Sequence, residues 1–264
     1  MKPLSFAAPS ARLFDIPVHA IRMDRALDIV DQAIARREKL QIGVINAAKV
    51  VNMKLDPLLR EDVVASDLIL ADGIAIVWAS RILGRPLPER VTGIDLFTGI
   101  LERGASRGYR VYCLGATEEI SLKTVETIRQ RYPGVVIAGR SNGYFSAEQE
   151  QSVARAIAAS QADVLFVAMT SPKKENFMGR WGELMAVPVC HGVGGSFDVM
   201  AGKVDRAPPL WQRLGLEWLY RVKQEPRRLW RRYLVTNTLF CGMVISTFFR
   251  QLLTRDHDLP RRER

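Results

Sequence analysis

Arg110-Val111-Tyr112-Cys113-Leu114-Gly115-Ala116-Thr117 opens the stretch that decides the fold. Residues 110–114 are a short apolar run that reads as a buried strand, and Gly115-Ala116-Thr117 reads as a turn. Residues 118–132 have helical spacing and stop at Pro133-Gly134, and residues 135–138 begin another apolar strand. Strand, helix and strand make a βαβ unit, whose strands are expected to run parallel. Working outward, the same alternation recurs. Strands are expected at 41–45, 67–71, 163–168 and 187–191, with a short one in 11–20. Helices are expected at 24–37, 47–55, 58–65, 74–83 and 147–159. A further helix is expected after Ser171, which would cap it, with Pro172 at its first position. Residues 85–109 receive no element. This pattern is that of an α/β chain with an open, doubly wound parallel sheet, whose ligands sit outside the carboxyl ends of the strands. Strand signals stop near Gly202, so a core of residues 1–202 and a helical appendage of 203–264 are expected.

Charge separates the same two parts. Residues 203–264 hold 14 Lys and Arg against 6 Asp and Glu, while the first 202 hold 24 against 22. A nearly neutral body therefore carries a basic tail, which suits an anionic partner. On a helical wheel Arg227, Arg228, Arg231 and Arg232 lie on one side, with Leu229, Trp230 and Tyr233 on the other. The apolar run 239–249 follows. Adsorption to a membrane surface is the expected use of this pattern. No nucleic-acid module is visible, so DNA or RNA is not an expected partner. No signal peptide is expected at the start, and the apolar runs are too short for a transmembrane helix. At 48% hydrophobic and 25% charged residues the chain is not a disordered one. Cys113, Cys190 and Cys241 are odd in number and far apart, which excludes a disulfide framework or a zinc ribbon.

Chemistry is expected at the strand ends. Asp72 follows Leu68-Ile69-Leu70-Ala71 directly, where a carboxylate serves as a general base or, in Asp72-Gly73, simply as a turn residue. Three loops after strands suit phosphates: Gly115-Ala116-Thr117, Thr170-Ser171-Pro172-Lys173-Lys174-Glu175 and Gly192-Val193-Gly194-Gly195-Ser196. The first falls short of a full dinucleotide fingerprint, which disfavours a nicotinamide-dependent oxidoreductase. The Asp-x-Asp triplet Asp256-His257-Asp258 lies in the basic tail and reads as solvated rather than metal-binding, so no metal and no cofactor are expected.

Taken together these stretches resemble the WecG/TagA/CpsF glycosyltransferase family. The resemblance rests on Asp67 to Gly73, Val77-Trp78-Ala79-Ser80-Arg81, and Glu89-Arg90-Val91-Thr92-Gly93-Ile94-Asp95-Leu96. It continues through Leu114-Gly115-Ala116-Thr117, Gly143-Tyr144-Phe145, Ser171-Pro172-Lys173 with Glu175, and Gly192-Val193-Gly194-Gly195-Ser196-Phe197-Asp198. In the tail it takes in Arg206-Ala207-Pro208, Gly215-Leu216-Glu217-Trp218 and Gln224-Glu225-Pro226-Arg227-Arg228. Two departures stand out. Where many members have Thr-x-Asn this chain has Val44-Ile45-Asn46, and where the family usually has Lys-Gln-Glu it has Lys173-Lys174-Glu175.

The resemblance implies a Rossmann-like core and an inverting, metal-independent transferase. Its substrates would be a UDP-sugar donor and a sugar on a polyprenyl diphosphate, met peripherally at the cytoplasmic face of the cell membrane. It implies Asp72 as the base, with Asn46 and Arg90 also catalytic. Substrate contacts are implied for Gly115, Thr117, Tyr144, Ser171, Lys173, Glu175, Gly194, Gly195 and Asp198. Arg221, Arg228 and Arg231 match the diphosphate-binding arginines. The donor sugar the resemblance implies is N-acetylmannosamine, its uronic acid, or glucose, with the Asn46-Ala47-Ala48-Lys49 variant and the Arg/Ala-rich composition leaning to a GumM-like exopolysaccharide glucosyltransferase. A homo-oligomer is left open. The competing class is a membrane-docked nucleotide- or lipid-binding protein without catalysis.

Overall fold

The computed structural model describes residues 4–257, excepting the side chains of Arg228 and residues 254–257. A hairpin of β1 (Ser10–Leu13) and β2 (Ile16–His19) leads to α1 (Met23–Arg36), β3 (Leu40–Ile45), α2 (Ala47–Leu55), α3 (Pro57–Val64) and β4 (Leu68–Ala71). Then come α4 (Ile74–Ile82), α5 (Gly93–Arg107), β5 (Arg110–Gly115), α6 (Glu118–Arg131) and β6 (Val136–Ser141). A 3₁₀ turn (Ala147–Gln149) precedes α7 (Glu150–Ala159), β7 (Val164–Ala168), α8 (Lys173–Met185), β8 (Val189–Gly192) and α9 (Ser196–Met200). The chain closes with α10 (Pro209–Arg213), α11 (Glu217–Gln224) and α12 (Pro226–His257).

Six strands form one parallel sheet in the order β4-β3-β8-β7-β5-β6. The chain leaves β3 toward one edge and β5 toward the other, which opens a crevice at the carboxyl ends of the strands between them. Side-chain alternation explains why both faces are covered. Leu68, Leu70, Val111, Cys113, Val164 and Phe166 join a core with α1, α5, α6 and α9. Ile69 and Ala71 face α2, α3 and α4 on the other side, as do Tyr112, Leu114, Leu165 and Val167 toward α7 and α8. The sheet is thus Rossmann-like in the sense the sequence implies.

Four local expectations change. The strand expected in 11–20 is a hairpin, because Phe14 and Asp15 both take positive φ (52° and 61°) and turn the chain. The hairpin is tied to the sheet by His19, whose Nδ1 accepts from the Ile69 N–H at 3.0 Å. Residues 85–109 contain α5, whose interior Gly99 and Gly104 mask its helical pattern. Gly99 is there for packing: a Cβ at that position would stand 3.0 Å from Leu27 Cδ1 on α1. Helix α8 starts at Lys173 with Pro172 in the capping position, and Ser171 makes no cap hydrogen bond. Ser171-Pro172 is a cis peptide.

The fourth change concerns the apolar tail. Within 239–249, Phe240 and Val244 are buried in the core that holds the hairpin and α2, and Phe240 meets Phe14 at 5.5 Å between ring centroids. Each such burial stabilises the docking of α12 by about 2 kcal/mol. Leu229 is buried as well, and Tyr233 packs on Trp218 at 5.6 Å. Part of the apolar side expected to face lipid, Leu229 and in part Tyr233, therefore turns inward. Trp230, Leu234, Ile245, Phe249 and Leu253 remain exposed on α12. Among the described residues no helix is long and apolar enough to cross a membrane.

Candidate active site

Asp72 caps the end of β4, and its half-buried carboxylate is held from two sides. Oδ1 accepts from the Gly93 N–H at 2.8 Å, and Oδ2 lies 3.5 Å from Asn46 Nδ2. Gly93 reaches this position because the Val91 N–H donates to the Ala71 carbonyl at 2.9 Å, laying the chain across the end of β4. Thr92 then caps α5 by accepting from the Asp95 N–H at 3.1 Å. Asn46 follows β3 and caps α2, its Oδ1 accepting from the Lys49 N–H at 3.0 Å. That bond aims the Asn46 amide nitrogen at Asp72. Beneath them lies fully buried His191 of β8, whose Nε2–H donates to the Gly93 carbonyl at 3.0 Å. Burial pushes the His191 pKa down to about 4, against the Gly93 bond and the Asp72 charge, so the ring is neutral. One residue, Gly93, thus links His191 to the carboxylate, through its carbonyl on one side and its N–H on the other. His191 was not singled out in the sequence; its only sign is a polar residue inside the apolar run that ends at Gly192.

Arg90 does not face the crevice floor. Its guanidinium bridges to the appendage, with Nη1 3.5 Å from a Glu217 oxygen and Nη2 donating to the Gln212 carbonyl at 3.3 Å. Arg206 adds a second tie, 2.5 Å from Asp95 and 3.8 Å from Glu217. These ties set α10 and α11 beside the strand ends. Arg221 of α11 then reaches the loop after β8. A Cβ placed on Gly195 would stand 3.9 Å from an Asp198 oxygen and 4.0 Å from Arg221 Nη1. Gly194 takes φ +52°, and a bare backbone faces the crevice here. Gly194, Gly195, Asp198 and Arg221 are therefore brought together. Arg231 is exposed on α12, and the side chain of Arg228 lies outside the described residues.

The other loops divide into supports and lining. Gly115 takes φ +127° hard against the Ala168 backbone, and Thr117 caps α6 through the Ile120 N–H at 3.3 Å. Lys173 is a clamp: its Nζ donates to the Gly143 carbonyl at 3.1 Å and the Phe145 carbonyl at 3.4 Å, and lies 4.5 Å from the Phe145 ring centroid. It holds the loop that presents exposed Tyr144 at a cavity of about 410 Å³ lined also by Glu118, Arg140, Asn142 and Gln149. Ser171 is exposed. Glu175 is turned away from the opening, buried between Lys49 and Lys174 at 2.8 and 2.7 Å. Among the described residues no group of three or more His, Cys, Asp or Glu could hold a metal ion. The triplet Asp256-His257-Asp258 lies outside the described residues, apart from the backbone of its first two members.

Residues 11–254 match the family model described as the glycosyl transferase WecG/TagA/CpsF family. The chain belongs to this family. A relative from Bacillus spizizenii, an N-acetylglucosaminyldiphosphoundecaprenol N-acetyl-beta-D-mannosaminyltransferase, is 42% identical over 170 residues. Those residues are 64% of this chain and 65% of that protein, so the match spans less than two thirds of the relative's length. The family match runs past the sheet into α12, and so includes α11, the helix that carries Glu217 and Arg221.

Proposed function

We propose that this family member transfers a sugar, with inversion and without a metal ion, from a UDP-sugar to a sugar on a polyprenyl diphosphate. The observation that carries the reading is Asp72. One oxygen is fixed by Gly93, while the other has only a long contact to Asn46 and stays available to take a proton. In the proposed step the acceptor hydroxyl loses its proton to Asp72 Oδ2. Its oxygen attacks the anomeric carbon, and the bond from that carbon to the β-phosphate oxygen breaks on the opposite face. UDP leaves with the electron pair. The charge that grows on the diphosphate would be met by Arg221 and by the backbone of the Gly192–Gly195 turn. Strands β4 and β5 are four spacings apart, roughly 19 Å. An extended nucleoside diphosphate sugar can cover that span, with its sugar near Asp72 and its nucleoside toward Tyr144 and Asp198.

Membrane contact is part of the same proposal. A polyprenyl-linked acceptor sits in a bilayer, and α12 carries exposed Trp230, Leu234, Ile245 and Phe249 beside Arg227, Arg231 and Arg232. This supports peripheral docking of 203–264 at the cytoplasmic face, with the arginine-rich end completing the site. The name of the Bacillus relative supports N-acetylmannosamine as the donor sugar, so it takes precedence here over the glucose suggested by composition. The test is a screen of UDP-sugars against a lipid-diphosphate-linked monosaccharide, run in EDTA. Transfer from UDP-N-acetylmannosamine in EDTA supports the reading. Activity that needs Mg²⁺ or Mn²⁺ contradicts its metal-free part, and UDP binding without any transfer favours a binding protein.

A further inference from the structure

Three charged side chains, Lys49, Lys174 and Glu175, are buried at the carboxyl end of the sheet. Lys49 stands on the first turn of α2 and the other two on the first turn of α8. Both ammonium groups converge on one oxygen, Glu175 Oε1, at 2.8 and 2.7 Å, and the buried Oε2 has no hydrogen-bond partner. Lys174 runs along β8, where a Cβ on Gly192 would stand 3.0 Å from its Cε. Burial alone would raise the Glu175 pKa, but the two lysines hold it below the usual carboxylate range. Burying such a group costs free energy that an apolar cluster of the same volume would not, so stability is a weak reason for its presence.

Its location supplies a better reason. The Lys49 side chain is anchored by Glu175 on another element, while the Lys49 backbone N–H holds Asn46 Oδ1 at 3.0 Å. The same Asn46 side chain contacts Asp72. We propose that Glu175 is a positioning residue: by fixing Lys49 it fixes the first turn of α2 and so aims the Asn46 amide at Asp72. The departure at Lys174 belongs to the same device, since the second cation keeps the carboxylate ionised and locked in place. The inference deepens the proposed transferase reading and rests on it, but it concerns alignment of the base rather than contact with the donor.

The test combines kinetics with amide exchange on the full-length protein. Glu175→Gln removes the anion at nearly constant shape. It should lower kcat by roughly tenfold, as a small misalignment of a reacting group does, and leave the donor KM within about twofold. In an Asn46→Ala background the same substitution should change kcat little, because the route it acts through is gone. Lys174→Gln with Glu175→Gln removes the repulsion between two unpaired lysines. It should also show the low kcat, which covers the case in which the single variant folds poorly. Independently of turnover, exchange of the Lys49 amide should be faster in Glu175→Gln than in the wild type. A tenfold rise in donor KM at unchanged kcat would show that Glu175 touches the donor. Multiplicative losses with Asn46→Ala, or an unchanged Lys49 amide, would equally overturn the proposal. A wild-type protein that transfers nothing refutes the transferase reading alone, since the Lys49 amide still reports on the positioning.

Discussion

His191→Gln isolates the energetic role of the group beneath Asp72. The substitution keeps a nitrogen donor near Nε2 for the Gly93 carbonyl but removes the titrating ring. In the folded protein burial holds the His191 pKa at about 4, whereas in the unfolded chain it titrates near 6.5. Between these values the unfolded state takes up a proton that the folded state refuses, so stability falls as pH drops through the window. The full effect is the 2.5-unit gap at about 1.4 kcal/mol per unit, or about 3.5 kcal/mol, reached below pH 4. Above pH 7 the contribution is absent. Urea unfolding followed by tryptophan fluorescence at pH 7.5 and 4.5, on both proteins, measures the difference. The wild type should lose about 2–3 kcal/mol more than His191→Gln over that interval. His19, also lowered by burial, titrates in both proteins and cancels. Equal losses in the two proteins would mean that His191 is not held neutral by burial, and the picture of a dry, fixed peptide behind Asp72 would fail.

Three further outcomes follow from single contacts. Lys173→Ala frees the loop bearing Tyr144 and should raise the donor KM by roughly tenfold with a smaller change in kcat, in initial-rate kinetics. Arg90→Ala breaks the tie to Glu217 and Gln212 and should speed limited proteolysis between α9 and α11 while lowering turnover; an unchanged cleavage rate would remove Arg90 as the bridge. Replacing exposed Trp230 and Phe249 by Ala should weaken sedimentation with anionic liposomes by about 1 kcal/mol or more and spare turnover on a water-soluble acceptor. The same loss of turnover on both acceptors would mean that these residues serve the fold.

The parallel sheet was legible because its strands are short apolar runs cut by Gly, Pro and Asp, and periodicity is local. The position of Asp72 was legible for the same reason: it directly follows Leu68 to Ala71. What surrounds Asp72 was not. Gly93 lies 21 residues on and His191 still farther, and each meets Asp72 only through sheet order and one backbone hydrogen bond. Glu175 and Lys173 sit two residues apart on the same motif, yet one is buried in an ion cluster and the other clamps a loop. No pattern in the motif itself separates them. The tail reads as amphipathic in sequence, but a wheel cannot say which apolar residues find partners. Phe14, reached through an unforeseen hairpin turn, claims Phe240 and leaves the opposite side of α12 exposed.

Whether Asp72 takes the acceptor proton is decided by one paired measurement. Asp72→Asn should be compared with the wild type for sugar transfer at saturating substrates and for UDP affinity by calorimetry. The Gly93 N–H can still bond to the amide oxygen, so the geometry persists while the base is lost. Turnover should fall roughly 10²–10⁴-fold, with UDP affinity within about threefold of the wild type. Turnover close to that of the wild type in Asp72→Asn would contradict Asp72 as the base.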